Sequence, residues 1–199
     1  MKTKILILLV ALSANICSFS QVKSTTGQKH TGFYARSTVG LGGFFLSENA
    51  NTSTFGNVNF HTRGWGGDLS IQAGYSVAEN LQVYGVFGAN RKIFDSDLTT
   101  TLIRYGAGAT YYIMPDNVFL FCDISRARDE IKINSLTGKS DYGIIFNLGF
   151  GKEWWVSKDL GIGWAFYYLA GSINNQPFEN RTPSISNIGF GLAFSVTYN

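Results

Sequence analysis

The sequence predicts an all-β protein, an eight-stranded antiparallel up-and-down transmembrane β-barrel preceded by a cleaved signal peptide. Apolar residues alternate with small or polar ones in segments that recur along most of the chain, as they do in strands whose successive side chains point to opposite faces. The polar breaks between these segments are alternately short and long. Charged residues make up only 15% of the chain, whereas a typical soluble domain has roughly 25%.

The first twenty residues have the pattern of an export signal. A positive start is followed by a short apolar run, and Ser18 and Ser20 are the small residues that signal peptidase requires just before Gln21. The apolar run is too short to cross about 30 Å of hydrocarbon as an anchor. A lipoprotein signal centred on Cys17 is the alternative, which the bulky Ile16 disfavours. The predicted division is a signal peptide at 1–20, a flexible lead-in at 21–31 and a barrel domain at 32–199.

The composition of the exported part excludes two classes of function and structure. Removal of two lysines with the signal lowers the formal net charge from +3 to about +1, which provides no basic footprint for nucleic acid. Cys122 is then the one remaining cysteine, so no internal disulfide stabilises the domain. No later stretch approaches the roughly 18 consecutive apolar residues of a membrane-spanning helix. A membrane role would therefore use strands.

Eight strands follow the lead-in in order. The first and fifth strands alternate less regularly than the others. The second strand shows the regular pattern, with the polar Ser70 between the apolar Leu69 and Ile71. The last strand is the clearest, because Ile188–Tyr198 alternates without exception over 11 residues, and a tilted strand needs about 9–11 to cross a bilayer. The predicted strands are 32–46, 65–78, 81–92, 101–113, 118–127, 141–156, 160–173 and 187–199.

The connections between the strands are of two kinds. Three are tight turns at 78–80, 114–117 and 157–159, rich in residues that favour turn geometry. Bacterial transmembrane barrels have short periplasmic turns and longer outer loops, and an even number of strands places both termini at the turn end. The four longer connections are predicted as loops at 47–64, 93–100, 128–140 and 174–186.

The small-residue face of the strands decides which side of the barrel faces lipid. A soluble lipocalin-like barrel also has eight strands, with its apolar face inside, but its water-facing surface should carry many lysines and glutamates. Here that face carries mainly glycine, serine, alanine, threonine, glutamine and asparagine, which suit the narrow interior of an eight-stranded barrel. We therefore predict that the aromatic and aliphatic side chains face lipid.

Two sets of residues are candidates for specific roles. Charged residues on the small-residue face would be costly unless paired, so we predict an internal network of salt bridges and hydrogen bonds that plugs the lumen, with a gated ion path as the alternative. Trp and Tyr near strand ends are expected at the membrane interfaces. The network candidates are Arg36, Asp68, Gln72, Arg104, Asp123, Asn147 and Glu153. The interface candidates are Trp65, Tyr75, Tyr111, Trp154, Trp155 and Tyr198.

At this point the chain resembles a known family. The export signal, eight strands, short turns, long loops and aromatic-ended last strand, Phe194-Ser195-Val196-Thr197-Tyr198-Asn199, are similar to the small porin-like outer-membrane β-barrels typified by OmpX and the transmembrane domain of OmpA. The resemblance covers about 32–199 and is architectural. Many such barrels end in Phe, whereas here Tyr198 is penultimate. The resemblance implies a location in the outer membrane of a Gram-negative bacterium.

No motif for catalysis or ligand binding appears in the exported chain. His30 lies in the lead-in and His61 in the first predicted loop, and no spacing marks a nucleophile, a cofactor site or a metal site. We expect a monomer with a structural or surface-interaction role, no wide pore and no enzyme activity. The alternatives are a small-solute channel, a lipid-modifying enzyme or a soluble lipocalin-like binder. Expected partners are outer-membrane lipid and lipopolysaccharide, with a surface ligand at the four loops.

Overall fold

A computed structural model describes residues 29–52, 56–94, 98–133, 136–174 and 184–199. The described chain is built almost wholly from strands, and no helix within it is long and apolar enough to cross a membrane. The strands are β1 (Phe33–Thr52), β2 (Gly56–Ala78), β3 (Leu81–Ile93), β4 (Leu98–Ile113), β5 (Val118–Ile133), β6 (Leu136–Lys139), β7 (Gly143–Trp155), β8 (Leu160–Asn174) and β9 (Ser184–Tyr198). The predicted signal peptide and residues 21–28 lie outside the described residues.

Eight of these strands close into an antiparallel barrel. Each long strand pairs with its neighbours along the chain, while the short β6 pairs only with β5. The barrel closes where β1 pairs with β9, for example through Val39 opposite Phe194. Closure leaves no long strand with an unpaired edge, which would otherwise be a site of aggregation. The predicted eight-stranded antiparallel up-and-down topology is confirmed.

The turn end of the barrel, defined by the tight connections and both chain ends, matches the sequence prediction closely. All eight long strands begin or end there within one residue of the predicted position. Asn80 and Asn117 have φ values of 62° and 54°, the left-handed conformation that asparagine tolerates better than most residues. These two residues let the chain reverse direction between β2 and β3 and between β4 and β5.

The opposite end, called the loop end, differs from the prediction because its strands are longer. The β1–β2 ladder continues to Thr52 opposite Gly56, and β5 continues into a hairpin with β6. The loops predicted at 47–64, 93–100, 128–140 and 174–186 are therefore too long, since strand residues occupy part of each range. Ser, Asn and Thr occur at both parities in these extensions, so they lack the apolar alternation by which strands are recognised.

The two faces of the barrel wall have the predicted orientation. Large apolar side chains point outward and are exposed, for example Leu41 at 67% and Leu192 at 60%. Polar and charged side chains of the other parity point inward and are buried. Trp65 lies near the loop end, whereas Tyr75 and Tyr111 lie near the turn end, and all three are exposed. The interior is where the buried charged groups of the strands meet.

Candidate functional site

The lumen contains charged side chains in three groups along its length. The turn-end cluster contains Arg36, Tyr112, Glu153 and Thr197. The middle cluster contains Asp68, Arg104, Asp123 and Asn147. The loop-end cluster contains Lys92, Asp129 and Asn187. Every one of these residues is buried, and each cluster draws its members from at least three different strands.

The turn-end cluster is organised around the Arg36 guanidinium on β1. Its Nη2 lies 2.9 Å from Oε1 of Glu153 on β7, and its Nε donates a hydrogen bond to Thr197 Oγ1 at 3.1 Å. Tyr112 accepts a further hydrogen bond from Arg36 and donates one to Glu153 Oε2 at 3.1 Å. The Phe119 ring lies 4.0 Å from the Arg36 Cζ atom. The Arg36 guanidinium thus has partners from four other strands.

The middle cluster places one cation between two carboxylates. Arg104 on β4 lies 3.6 Å from Asp68 on β2 and 3.2 Å from Asp123 on β5. Asn147 donates to Asp123 Oδ2 at 2.8 Å, and Asn90 donates to Asp68. Gly88 makes room for the guanidinium, because a Cβ there would lie 2.9 Å from Arg104 Nε. Four of the seven predicted network residues therefore meet in this one cluster.

Gln72 lies apart from the charged pairs. Its Oε1 atom accepts a hydrogen bond from the Tyr34 hydroxyl at 2.9 Å, and the side chain is buried. Tyr34 belongs to an apolar interior group with Tyr84 and Val86. The glutamine therefore binds an aromatic residue of the interior rather than one of the acids.

The sequence pattern does not predict the loop-end cluster, because Asp129 falls in the predicted loop 128–140. Lys92 on β3 lies 3.5 Å from Asp129 on β5, and Asn187 on β9 donates to Asp129 at 2.9 Å. Lys92 also donates to Asn187. Parity was the available signal, because Lys92 has the parity of the inward Tyr84 and Asp129 has that of Asp123.

His30 closes the turn end of the lumen. Its ring is fully buried and stacks on Tyr112 at a centroid distance of 3.4 Å. The Nε2 atom donates to Asn117 Oδ1 at 2.7 Å, and Nδ1 accepts from Asn199. Burial lowers the pKa of His30 below its usual value, although the hydrogen bond with Asn117 acts in the opposite direction. Within the lead-in predicted at 21–31, His30 is therefore held by contacts with Tyr112, Asn117 and Asn199.

Trp155 is also misplaced by the prediction of interface aromatics. It has the inward parity of Glu153, its ring lies 4.8 Å from that of His30, and its Nε1 atom is buried. Trp154, one residue earlier, has outward parity and is partly buried, and Tyr198 is exposed on the outside. Adjacent residues of a strand face opposite sides, so only one of the two tryptophans can lie on the outer face of the barrel.

Little space remains between the clusters. A cavity of about 20 Å³ lies beside Arg36, Asp68 and Arg104, roughly the size of one water molecule. Aromatic rings fill the remaining cross-section by lying directly on inward-facing glycines. A Cβ at Gly189 would lie 2.5 Å from the Phe44 ring, and one at Gly149 would lie 2.6 Å from the Phe121 ring. The lumen is therefore packed with side chains along the described part of the chain.

The remaining candidates are on the outside. His61 is exposed on β2 rather than in a loop, and Cys122 is exposed on the outward face of β5. Within the described residues, no group of three or more His, Cys, Asp or Glu side chains lies close enough together to hold a metal ion.

Comparison with known proteins identifies the fold. No protein-family model matches the sequence, and no curated protein matches it either. Among solved structures, Neisserial surface protein A (NspA) is 16% identical, with 84% of this chain and 97% of that chain covered and a TM-score of 0.60.

Two further solved structures are similar over comparable lengths. OprG from Pseudomonas aeruginosa is 12% identical, covering 87% of this chain and 98% of its own, with a TM-score of 0.47. Ail, the attachment invasion locus protein of Yersinia pestis, is 12% identical, covering 83% of this chain and 99% of its own, with a TM-score of 0.40. At these identities the likeness concerns the fold alone, and it rests on the neisserial protein. The chain has the fold of the small eight-stranded outer-membrane β-barrels.

Proposed function

We propose that this protein is exported through residues 1–20 and inserts residues 32–199 as a closed-lumen barrel into the outer membrane of a Gram-negative bacterium. Its role there is to anchor and present the loop-end hairpins at the cell surface for structural or recognition purposes. It conducts no large solute and carries out no catalytic step. The observation that carries this proposal is the filled lumen with its three buried ionic clusters.

The outer surface supports insertion into a membrane. Soluble monomers rarely expose apolar patches larger than a few hundred Å², whereas here outward apolar side chains are exposed on all eight long strands. A soluble lipocalin-like barrel would have the opposite arrangement, with the apolar face around an internal ligand. The ionic interior and apolar exterior favour lipid as the surrounding medium, with lipopolysaccharide as its outer-leaflet component.

The interior supports a structural role rather than transport. The Arg36–Glu153 pair joins β1 to β7 across the lumen, and the Lys92–Asp129 pair joins β3 to β5. Separating a buried ion pair that also has several hydrogen bonds costs a large free energy, because each charge would be left buried without its partner. A continuous water path would require such pairs to open together, so the clusters favour a plug over a gated ion path.

The loop end supports a surface role. β1 and β2 contain 20 and 23 residues, about twice the number that a tilted strand needs to cross a bilayer. Their shared hairpin, together with the β5–β6 hairpin, therefore extends beyond the apolar belt. Exposed segments on a rigid scaffold commonly carry recognition, and these hairpins are where a surface ligand would bind.

Conductance measurements test the closed lumen. The purified full chain, reconstituted in planar lipid bilayers, should give no steady conductance steps above the bare bilayer. A triple variant, Arg36→Ala/Lys92→Ala/Arg104→Ala, removes the cation of all three clusters and should leak more than the wild type. Stepwise conductance in the wild type, equal to that of the triple variant, would contradict the proposal.

A further inference from the structure

The outer face of β5 changes character abruptly along the strand. From the turn end it presents Leu120, Cys122 and Ile124, all exposed. The next two outward residues are Arg126 and Arg128. Arginine at this position lies on the exterior of the barrel, beside the apolar belt and away from the interior clusters.

The two arginines converge on one aromatic ring. The Cζ atoms of Arg126 and Arg128 lie 4.3 and 5.5 Å from the ring centroid of Tyr142. The Tyr105 ring approaches the Tyr142 ring edge-on at 6.3 Å. Tyr105 on β4 and Ile144 on β7 are the cross-strand neighbours of Arg126. Cation–π contacts hold the guanidinium planes in place and leave their N–H edges free to donate.

Neither guanidinium has an anionic partner among the described residues. The ion pairs within 4.0 Å in that part of the chain are formed by other lysines and arginines. Glu130, the next outward residue of β5, is paired with Lys139 at 3.9 Å. Two like charges on adjacent outward positions of one strand repel each other. An anion bound between them would remove this repulsion.

We propose that Arg126, Arg128, Tyr105 and Tyr142 form a binding site for the phosphate group of an amphiphile in the surrounding outer leaflet. Arginine matches phosphate through paired N–H donors. Below the phosphate, the exposed Ile124 and Ile144 offer an apolar surface for acyl chains. The combination of a cation pair and an adjoining lipid-facing surface fits a phosphorylated lipid better than a free anion. The inference rests on the proposed insertion of the barrel with its loop end outward.

Binding of diphosphoryl lipid A to the purified full chain in detergent micelles, measured by native mass spectrometry, tests the site. The double variant Arg126→Gln/Arg128→Gln should weaken binding about tenfold, the loss expected for charge-assisted hydrogen bonds. The control variant Arg63→Gln/Arg91→Gln removes the same charge from exposed positions of β2 and β3 near the same end. It should change binding by less than about twofold. Lipid A stripped of both phosphates should bind the wild type as weakly as it binds the double variant.

Three results would overturn the inference. The first is equal binding of lipid A with and without its phosphates. The second is an equal loss in both double variants, which would assign the effect to net charge rather than to the cluster. The third is displacement by equimolar inorganic phosphate, which would identify a free anion as the ligand. A difference in gel migration before and after boiling shows independently that each variant is a folded barrel, so failure of this site is distinguishable from failure of the proposed membrane insertion.

Discussion

Arg36 on β1 and Glu153 on β7 meet inside the barrel at 2.9 Å, with both side chains 1% exposed. The two strands are not adjacent in the sheet, so the pair bridges the lumen rather than two paired strands. Each partner leaves a buried, uncompensated charge when the other is removed. The energetics of the interior should therefore show strong coupling between residues far apart in sequence.

The first prediction concerns this pair. Arg36→Met and Glu153→Leu should each destabilise the barrel by about 3 kcal/mol, because each leaves one buried charge unpaired. The double variant should cost at least about 1 kcal/mol less than the two single costs combined, since neither charge then remains. Urea unfolding of the protein refolded into lipid vesicles, followed by Trp fluorescence, measures the cycle. Simple additivity would show that the two side chains do not act as a pair.

The second prediction concerns the middle cluster. Arg104→Ala should lower the unfolding temperature strongly, with a loss of about 3 kcal/mol, because Asp68 and Asp123 lose their shared cation. Solute flux should stay near zero, since the turn-end and loop-end clusters still fill the lumen. The matched control is the exposed Arg91→Ala, which should change stability by less than about 0.5 kcal/mol. An unfolding temperature of Arg104→Ala equal to that of the wild type would contradict the proposal that the middle cluster stabilises the barrel.

The third prediction concerns the packing of rings on glycines. Gly189→Ala should destabilise the barrel by about 1–3 kcal/mol, because its Cβ would lie 2.5 Å from the Phe44 ring. The three atoms nearest to this Cβ all belong to the Phe44 ring, so Phe44→Leu should recover much of the loss. Gly67→Ala, with its nearest atom 3.7 Å away, is the control. Thermal unfolding in detergent compares them, and an absence of rescue by Phe44→Leu would refute the packing model.

The fourth prediction concerns pH and His30. Since burial lowers its folded-state pKa below 6.5, the unfolded chain binds a proton near pH 6 that the folded barrel excludes. Stability contributed by the neutral ring is fully present above pH 7 and is lost as the pH falls through the unfolded-state pKa. The loss at pH 5.5 is at most about 1.4 kcal/mol. Urea unfolding at pH 7.5 and 5.5 should show this loss in the wild type and not in His30→Gln. An equal pH dependence in both proteins would exclude His30 as its source.

The turn end could be predicted to within one residue because turn chemistry and apolar alternation change at the same place. Asparagine marks two of the reversals, and the strands begin immediately after them. At the loop end the apolar alternation stops before the strands do. Sequence periodicity therefore gives no signal for the last residue pairs of the β1–β2 ladder, which continues to Thr52 opposite Gly56. The predicted strand boundaries are therefore within one residue at the turn end and, for most strands, too short at the loop end.

The interior candidates could be placed by parity alone, which groups inward residues without saying which of them touch. Parity alone identified Arg36, Asp68, Arg104, Asp123 and Glu153 as inward, but their partition into two clusters depends on strand stagger, which the sequence does not encode locally. Lys92 is the last residue of the predicted strand 81–92 and has inward parity, but it is not among the predicted network residues, and lysine is rarely buried. His30 precedes the first strand, so no periodicity applied to it, and its burial arises from contacts with Asn117 and Asn199 far along the chain.

The most direct test of the central claim is fractionation of cells that express the full chain, followed by electrophoresis of samples with and without boiling. We predict that the protein sediments with outer membranes and that the unboiled sample migrates differently from the boiled one, because a folded barrel resists detergent. Recovery in the soluble periplasmic fraction, with the same migration before and after boiling, would contradict a closed barrel embedded in the outer membrane.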